Sequence, residues 1–372
     1  MYDWLIVGCG FTGATLAERI ATQLDERVLI IDKRDHIGGN AYDYLDESGL
    51  RVSKYGAHIF HTNSEKVWRY VRQFAEFDEY THRVEAWVNG RFFSLPLNLE
   101  TINSFFGTNL SSESLPDFLD RRRVPIEHPA NAEEAVVEKV GWELYDAFYR
   151  GYTRKQWGVD PKELEPSVTM RLPVRANGDK RYFSDPWQGM PIGGYASLFE
   201  NMLRHRKIDL ALNTDYREIV CDVKFKRLIY TGEIDGFFDR MFGKLPYRSL
   251  RFELSKCSTE YFQHVGVVNY PNDFEFTRIV EYKHLYTQKH PQTIISREYP
   301  CWNDAEPYYP VPSVESRQLY QKYEKAAANL KNVFFCGRLG TYKYYNMDQC
   351  IAQALHLFSS QIAEKEKGIL TT

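Results

Sequence analysis

The sequence lacks the features that mark nucleic-acid-binding, membrane-spanning or secreted proteins. Its 372 residues carry 47 Lys and Arg against 50 Asp and Glu, a net charge of −3, so a broad basic surface for nucleic acid or membrane is not expected. No apolar run reaches the ~18 residues that a transmembrane helix requires. The first residues do not have the basic, apolar and cleavage regions of a signal peptide. We therefore expect a cytoplasmic protein that binds neither nucleic acid nor membrane.

Metal-binding and disulfide patterns are also missing. The six cysteines are scattered without a CxxC pair, which predicts reduced, buried thiols. His58 and His61 lie three positions apart, but no nearby Asp, Glu or Cys completes a set of metal ligands. We expect no metal site.

The composition is that of a globular protein with a large core. Apolar residues make up 43% of the chain, and the length is sufficient for two or three domains. Aromatic residues reach 15%, with 26 tyrosines. Many of these will pack in the core with the hydroxyl at its edge, but the excess also fits a site that binds sugars or bases.

The N-terminal residues have the pattern of a dinucleotide-binding βαβ unit. Residues 2–8 and 27–32 have the character of buried strands, and 11–24 carries apolar residues at helical spacing. Gly8, Gly10 and Gly13 form GxGxxG between the first strand and the helix, where a pyrophosphate can reach the helix N-terminus. Asp32 ends the second strand nineteen positions after Gly13, where it would accept hydrogen bonds from ribose hydroxyls.

A second glycine pair distinguishes FAD from NAD as the cofactor. Lys33 follows the acidic strand end, and Gly38, Gly39 and Asn40 come shortly after it. This run resembles that of the FAD-binding amine-oxidase-like flavoproteins, in which the glycines let the backbone pass close to the cofactor. We expect FAD.

The remaining pattern predicts an α/β fold with α+β insertions. Residues 83–97 have a hairpin pattern around Asn89-Gly90, 133–149 is the clearest helix, and 166–195 is a long loop rich in Pro and Gly. Short β-type runs between 215 and 300, RLIYTG among them, predict an antiparallel sheet. The expected domains are a Rossmann-like FAD-binding domain (1–80, 190–225 and 315–372), a helical domain (98–185) with a mobile lid near 166–180, and an antiparallel sheet domain (81–97 and 226–314).

Ordered motifs across nearly the whole chain resemble those of the bacterial UDP-galactopyranose mutases. They are Tyr55–Thr62 (YGAHIFHT), Thr153–Gly158 (TRKQWG), Arg171–Arg175 (RLPVR), Arg181–Phe183 (RYF), Gln188–Pro191 (QGMP), Glu306–Pro310 (EPYYP), Gly337–Tyr342 (GRLGTY) and Met347–Gln349 (MDQ). The resemblance implies an FAD-dependent homodimer that interconverts UDP-galactopyranose and UDP-galactofuranose. In that chemistry the N5 atom of reduced flavin attacks the anomeric carbon, UDP leaves and returns, and there is no net redox change.

The resemblance also assigns roles to individual residues. Arg171 and Arg278 would clamp the diphosphate, and His61 would lie against the reactive edge of the flavin. The residues implied to bind substrate are Phe148, Tyr152, Thr153, Trp157, Arg171, Tyr182, Phe183, Arg278, Glu298, Tyr309 and Tyr344. Those implied to bind the cofactor are Gly8, Gly10, Phe11, Thr12, Gly13, Asp32, Lys33, Gly39, Asn40, His58, His61, Arg338 and Asp348.

Some of these assignments have structural alternatives. Phe148 and Tyr152 are four apart, so a helix would place them on one face, either to hold uracil or to pack in the core. Arg278 could instead form an internal salt bridge with Glu281 or Glu298.

Three positions depart from the family pattern. Cys9 stands where a small residue such as Ala is expected, Ala57 replaces Pro, and Asn346 replaces the Asp of DMDQ. Other functions stay open: a mutase for UDP-N-acetylgalactosamine or for both sugars, an amine-oxidase-type flavin oxidase, or a regulator that binds a UDP-sugar or flavin without turnover.

Overall fold

The computed structural model describes residues 1–169, 173–302 and 306–363. Within these ranges the strands are β1 (Tyr2–Val7), β2 (Val28–Ile31), β3 (Asp43–Leu45), β4 (Arg51–Ser53), β5 (Phe60–Thr62), β6 (Phe77–Glu79), β7 (Val84–Val88), β8 (Arg91–Leu95), β9 (Trp187–Pro191), β10 (Ile208–Ala211), β11 (Phe225–Tyr230), β12 (Tyr247–Cys257), β13 (Val267–Asn269), β14 (Arg278–Glu281), β15 (Thr293–Cys301), β16 (Tyr309–Pro310) and β17 (Val333–Phe335).

The α-helices of the same ranges are α1 (Phe11–Gln23), α2 (Glu65–Val71), α3 (Leu99–Phe106), α4 (Leu115–Asp120), α5 (Ala132–Leu144), α6 (Gly151–Trp157), α7 (Gly194–Leu203), α8 (Tyr216–Ile219), α9 (Ile234–Phe237), α10 (Tyr282–Leu285), α11 (Val314–Ala328), α12 (Gly337–Gly340) and α13 (Met347–Leu357). Short 3₁₀ turns occur at Gly39–Ala41, Pro161–Glu163 and Pro166–Val168, and π-helical turns at Tyr145–Arg150 and Phe358–Ile362.

A five-stranded parallel sheet confirms the predicted Rossmann-like unit. Its order is β10-β2-β1-β11-β17, and every neighbouring pair is parallel. Helices α1 and α13 pack together on one face, where Trp4, Ile6, Leu16 and Ile20 are fully buried. Burying such side chains stabilises the fold by about 1.5–3 kcal/mol each. The dinucleotide loop lies at the carboxyl edge of this sheet, where α/β proteins bind their ligands.

The position of β11 corrects one sequence prediction. The run RLIYTG was assigned to the antiparallel sheet, but β11 pairs in parallel with β1, with Tyr2 opposite Phe225 and Val7 opposite Tyr230. The expected boundary at 225/226 therefore falls inside a strand of the parallel sheet. A short apolar run reads the same in either sheet, so the pattern alone could not assign it.

The second sheet has seven strands in the order β16-β12-β15-β14-β13-β7-β8. It is antiparallel as predicted, except that β7 and β13 run in parallel. The hairpin at Asn89-Gly90 is confirmed: β7 and β8 pair directly, and both turn residues have positive φ, 51° and 77°.

The segment predicted as one long loop is only partly a loop. Trp187–Pro191 forms strand β9, which pairs with β5 and β6 in a three-stranded sheet. Residues 173–186 run without helix or strand into β9. Pairing with β5 places this segment directly beside His61, whose partner across the strands is Gln188.

Candidate active site

The glycine loop depends on close contact between the backbones of Gly8 and Gly13. Gly8 has φ +101°, a conformation that side-chain-bearing residues rarely adopt. A Cβ atom on Gly13 would lie 1.9 Å from the carbonyl oxygen of Gly8, so only glycine allows the helix and strand to approach this closely. These contacts fix the N-terminus of α1 at the end of β1.

Gly10 and Gly39 bring the backbones of the two glycine motifs close together, at a place that we call the glycine groove. A Cβ on Gly39 would come within 2.9 Å of the Gly10 Cα atom, whereas a Cβ on Gly10 would find its nearest neighbour at 3.8 Å. Gly10 is the N-cap of the 13-residue helix α1 and no side chain caps it. The groove therefore combines unobstructed backbone with a helix N-terminus, which is the arrangement that binds a dinucleotide pyrophosphate.

Asp32 holds the glycine loop in place. Its two carboxylate oxygens accept hydrogen bonds from the backbone N–H groups of Cys9, at 2.8 Å, and Arg34, at 3.0 Å. Arg34 in turn donates to the side-chain oxygen of Asn40 at 3.0 Å, which links the first glycine motif to the second. Lys33 is exposed at the same edge. Burial raises the pKa of the Cys9 thiol to about 12, so Cys9 acts as a small apolar residue.

The other expected cofactor residues fall into two places. Phe11 is buried against Phe199, with ring centroids 4.6 Å apart, and Thr12 is buried beside it. Asp348 lies at the start of α13, where one of its oxygens accepts a hydrogen bond from Thr62 at 3.0 Å. Its other oxygen is buried and has no partner among the described residues, which leaves one acceptor for a ligand.

A cavity of about 1080 Å³ opens between the seven-stranded sheet, the helical segment around residues 148–157 and the start of α13. It is lined by the predicted residues Phe148, Tyr152, Thr153, Trp157, Tyr182, Phe183, Arg278, Tyr309, Tyr344, His58, His61 and Arg338. The structure thus brings together side chains from six separate segments of the chain. Arg171 lies outside the described residues, so its predicted role stays a prediction.

Arg278 is a half-buried cation with one carboxylate partner. Its Nε atom donates to Glu298 at 2.5 Å, and the two residues face each other across β14 and β15. Burial opposes the charge, but the adjacent Glu298 carboxylate outweighs it and raises the pKa of Arg278 well above its usual value. Its terminal Nη groups make no hydrogen bond to the described residues. Arg278 therefore satisfies both readings of the sequence: it pairs with Glu298 and it lines the cavity.

Glu298 lies behind Arg278 and not on the cavity wall. It is 1% exposed, and its second oxygen has no partner among the described residues. A Cβ on Gly56, at φ +88°, would lie 2.5 Å from that oxygen. Glu298 thus reaches the ligand space only through Arg278 in this structure.

Arg338 supplies a second guanidinium without a carboxylate partner in the described part of the chain. It donates to the carbonyl oxygens of Tyr345, at 2.6 and 3.1 Å, and Tyr308, at 3.2 Å. It also lies over the rings of Tyr309 and Tyr344, at 5.4 and 5.2 Å, and those rings stack on each other. A positive charge held by neutral groups in this way attracts an anionic ligand.

The two predicted histidines have different partners. The Nδ1 atom of His58 contacts the carbonyl oxygen of Gly56 at 3.0 Å, and burial lowers the pKa of His58 to about 4, so the ring is neutral. The Nδ1 atom of His61 lies 2.6 Å from the Asp185 carboxylate. The sequence did not identify Asp185, because 124 positions separate it from His61.

The pair Phe148 and Tyr152 corrects a geometric assumption. Phe148 belongs to a π-helical turn and Tyr152 to α6, so the four-residue spacing does not follow α-helical geometry. Phe148 is 5% exposed and packs edge-on against Phe93 at 5.5 Å. Both side chains line the cavity, with Phe148 also serving the core.

Two further cavity residues were missed. Asn269 is buried, and its Oδ1 atom has no partner among the described residues. His82 is 4% exposed and contacts Tyr80 at 3.2 Å; burial, then the positive charge of Arg278, lowers the pKa of His82 to about 3. Neither belongs to a recognisable motif, and only the fold places them beside Arg278.

Asn346 and Ala57 mark the remaining departures. Asn346 is the N-cap of α13 and its backbone N–H donates to Gln349 at 2.9 Å. Asn and Asp serve about equally at this position, so the substitution preserves the helix start while removing a charge from the cavity wall. Ala57 also lines the cavity.

Residues 1–169, 173–302 and 306–363 contain neither a membrane-spanning helix nor a cluster of metal ligands. No helix there is long and apolar enough to cross a membrane. No group of three or more His, Cys, Asp or Glu side chains in those ranges could hold a metal ion.

Comparison with known proteins gives consistent matches over nearly the whole chain. Residues 147–344 match the family model described as UDP-galactopyranose mutase, and residues 6–74 match an NAD(P)-binding Rossmann-like domain. A Klebsiella pneumoniae protein named "Probable UDP-galactopyranose mutase" is 41% identical over 98% of this chain and 96% of its own length. An Escherichia coli protein named dTDP-fucopyranose mutase is 40% identical over 94% and 96%. A crystal structure of reduced UDP-galactopyranose mutase shares the fold, with a TM-score of 0.73, 18% identity and coverage of 96% and 94%.

Proposed function

The chain belongs to the UDP-galactopyranose mutase family, and we propose that it interconverts UDP-galactopyranose and UDP-galactofuranose with the help of reduced FAD. The observation that carries the proposal is the pair Arg278 and Arg338 in one cavity with the tyrosines 182, 309 and 344. Guanidinium groups and phenolic hydroxyls are suited to bind the oxygens of a diphosphate.

We propose that the FAD pyrophosphate binds at the glycine groove. The space at Gly10, the uncapped N-terminus of α1 and the free oxygen of Asp348 are features that a dinucleotide would use. Gly8, Gly13, Asp32, Lys33, Gly39 and Asn40 would hold it, with His58 and His61 toward its ring system. When bound and reduced, FAD would supply the nucleophile that displaces UDP from the sugar, which accounts for an isomerisation without net redox change.

The residues of the chain would keep UDP in place while the sugar rearranges. Arg278, already anchored by Glu298, would bind the diphosphate through its terminal nitrogens. Arg338 would compensate the remaining negative charge. Phe148, Tyr152 and Trp157 offer rings for the base, and the unpaired Asn269 oxygen offers an acceptor for its N–H group. A bound UDP can return to the anomeric carbon more often than it escapes.

The decisive assay compares oxidised and reduced protein. The purified protein is loaded with FAD, reduced with dithionite and incubated with UDP-galactofuranose. We expect UDP-galactopyranose to form with the reduced protein only. No conversion by reduced, FAD-loaded protein would contradict the proposal, and an equal rate without dithionite would contradict the role of reduced flavin.

A second substrate has a specific observation in its favour. Because a relative of 40% identity is named dTDP-fucopyranose mutase, the same assay should include dTDP-fucopyranose. Fucose lacks the 6-hydroxyl of galactose, and thymine carries an additional methyl group. A higher kcat/KM for dTDP-fucopyranose would move the proposal to that substrate, and UDP-N-acetylgalactosamine tests the third candidate.

The alternatives outside the family have their own readouts. An amine oxidase would produce hydrogen peroxide from amines, and a binding regulator would bind UDP-sugars without turnover in the reduced state.

We propose that the enzyme is a homodimer in the cytoplasm. Light scattering of the purified protein tests whether it is a dimer. Arg171→Ala tests the predicted lid arginine: turnover should be lost while the flavin spectrum stays unchanged.

A further inference from the structure

Asp185 makes a short contact with His61, the histidine that is expected to lie against the reactive edge of the flavin. The distance from its carboxylate oxygen to Nδ1 of His61 is 2.6 Å. The side chains are mostly buried, with 13% of His61 and 25% of Asp185 exposed. An ionised carboxylate only accepts hydrogen bonds, so Nδ1 must carry the hydrogen in this contact.

Phe183 restrains the same ring from its face. The centroids of His61 and Phe183 lie 3.6 Å apart at an angle of 12°. The carboxylate therefore fixes the direction of Nδ1 within the ring plane, while the aromatic face prevents the ring from tilting. Together they determine where the second ring nitrogen, Nε2, points.

The backbone beneath both residues is held by strand pairing. His61 lies in β5 opposite Gln188 of β9, and Asp185 comes two residues before β9 begins. The Gln188 side chain also donates to the carbonyl oxygen of Asp185 at 3.2 Å. The contact between His61 and Asp185 is thus built into the sheet.

We propose that Asp185 is a positioning residue which keeps Nδ1 of His61 protonated, so that only Nε2 exchanges hydrogen bonds or protons with a ligand in the cavity. The same principle orients histidines in hydrolases and metal sites, where the partner of one nitrogen determines the chemistry of the other. The proposal rests on the proposed function for its ligand, the N–H edge of a reduced flavin, but its structural content can be tested without turnover.

The direct test is nitrogen NMR of the FAD-loaded protein with ¹⁵N-labelled histidine. His61→Asn assigns the signals by removing those of His61. In the unaltered protein, the neutral ring of His61 should carry its proton on Nδ1 and not on Nε2. In Asp185→Ala, the neutral ring should shift toward the form protonated at Nε2. Asp185→Asn should keep the original pattern, because its amide oxygen still accepts from Nδ1–H.

Kinetics separate positioning from folding. Asp185→Ala should lower kcat by about 10- to 100-fold, the range typical of removing the group that orients a metal-ligating histidine. The Kd for UDP should stay the same, and Asp185→Asn should recover most of the rate. Asp179→Ala is the matched control, since Asp179 pairs with Arg181 on the same segment and does not line the cavity.

Two results would overturn the proposal. One is an Asp185→Ala protein in which the His61 nitrogen signals are unchanged. The other is a loss of kcat no larger than that of Asp179→Ala, which would make Asp185 a structural residue of its segment. If the unaltered protein shows no mutase activity, the proposed function fails, but the NMR result still decides whether Asp185 fixes His61.

Discussion

The glycine groove and the cavity are held together in different ways. At the groove, backbone atoms of Gly8, Gly10, Gly13 and Gly39 pack against one another, and the determining factor is the absence of side chains. At the cavity, guanidinium, carboxylate and aromatic side chains hold one another through hydrogen bonds and stacking. Added atoms should therefore damage the groove, whereas removed atoms should damage the cavity.

The largest effect is expected for Gly13→Ala. The new Cβ would lie 1.9 Å from the Gly8 carbonyl oxygen, directly after β1, and 3.3 Å from the buried side chain of Ile6. We expect the free energy of unfolding to fall by about 3 kcal/mol or more, because backbone cannot move aside as a flexible side chain can. Urea unfolding of the purified variant measures this loss.

Gly10→Ala is the matched control at the same loop. Its φ of −83° suits alanine and its Cβ would have 3.8 Å of space, so the fold should lose only about 1 kcal/mol, the usual cost of Ala at an N-cap. The methyl group would instead occupy the room for the pyrophosphate. Flavin absorbance after gel filtration should show weak or absent FAD. Tight FAD binding by this variant would contradict the assignment of the groove.

Arg278→Ala should cause the second-largest loss in the free energy of unfolding. Here the damage comes from atoms that are removed from the cavity wall. It leaves the Glu298 carboxylate buried without its partner, which costs about 3 kcal/mol, the lower end of the range for a broken buried pair, because 26% of the Arg278 side chain is exposed. Turnover and UDP binding should be lost together with this stability. The double variant Arg278→Met/Glu298→Met removes both charges, so stability should return while UDP binding does not. Recovery of UDP binding in the double variant would show that Arg278 does not bind the diphosphate.

The two parts also differ in how far the sequence could predict them. The groove was predicted because Gly8 to Asp32 are close along the chain, and local strand and helix signals determine their geometry. The sequence offered Glu281 and Glu298 as salt-bridge partners of Arg278 but could not decide between them. The pairing of β14 with β15 selects Glu298, while Glu281 accepts from the N–H groups of Phe262 and Gln263.

The remaining features depend on contacts that no local pattern reports. The contact between Asp185 and His61 spans 124 positions and arises only when β9 pairs with β5. The apolar spacing around Phe148 predicted a helix, but spacing of this kind does not separate a π-helical turn from an α-helix. The sheet to which β11 belongs was also predicted wrongly, because a short apolar run does not show which strand it will pair with.

Lys155→Met should have a smaller effect, confined to ligand binding. The Nζ atom of Lys155 donates to the carbonyl oxygens of Tyr270, Asp273, Phe274 and Phe276. It thereby ties α6, which carries Tyr152 and Trp157, to the loop that leads into Arg278. Methionine keeps the length but loses these bonds, so the Kd for UDP should rise by about tenfold, equivalent to the ~1.4 kcal/mol expected for bonds from a charged donor. Exposed Arg154→Met, on the same helix, is the control.

The pH dependence of UDP binding sharpens this prediction. Burial lowers the pKa of Lys155 to about 8 from its usual 10.5. Above that pH Lys155 loses one of its three N–H donors, so it holds the four carbonyl oxygens less firmly. UDP binding should therefore weaken. Because the unfolded chain holds this proton more tightly than the folded one, this group alone makes stability rise between about pH 8 and 10.5. If UDP binding weakens above about pH 8 while the free energy of unfolding does not fall, the weaker binding is assigned to Lys155. A Kd for UDP that does not change between about pH 7 and 9.5 would contradict this prediction.

The smallest effect is expected for Gly90→Ala, a glycine substitution far from both regions. Gly90 has φ 77° in the hairpin turn, but a Cβ there would meet nothing within 4 Å. The cost is then backbone strain alone, about 1 kcal/mol. The hairpin reaches the cavity through Val84 and Leu95, which pair at its opposite end, so kcat and the Kd for UDP should not change. A clear loss of turnover would show that the cavity is sensitive to the whole sheet. A thermal shift of only a few degrees with full activity would support the comparison. Glycine would then be required for ligand binding only where neighbouring backbone leaves no room for a Cβ atom, as at Gly13 and Gly39.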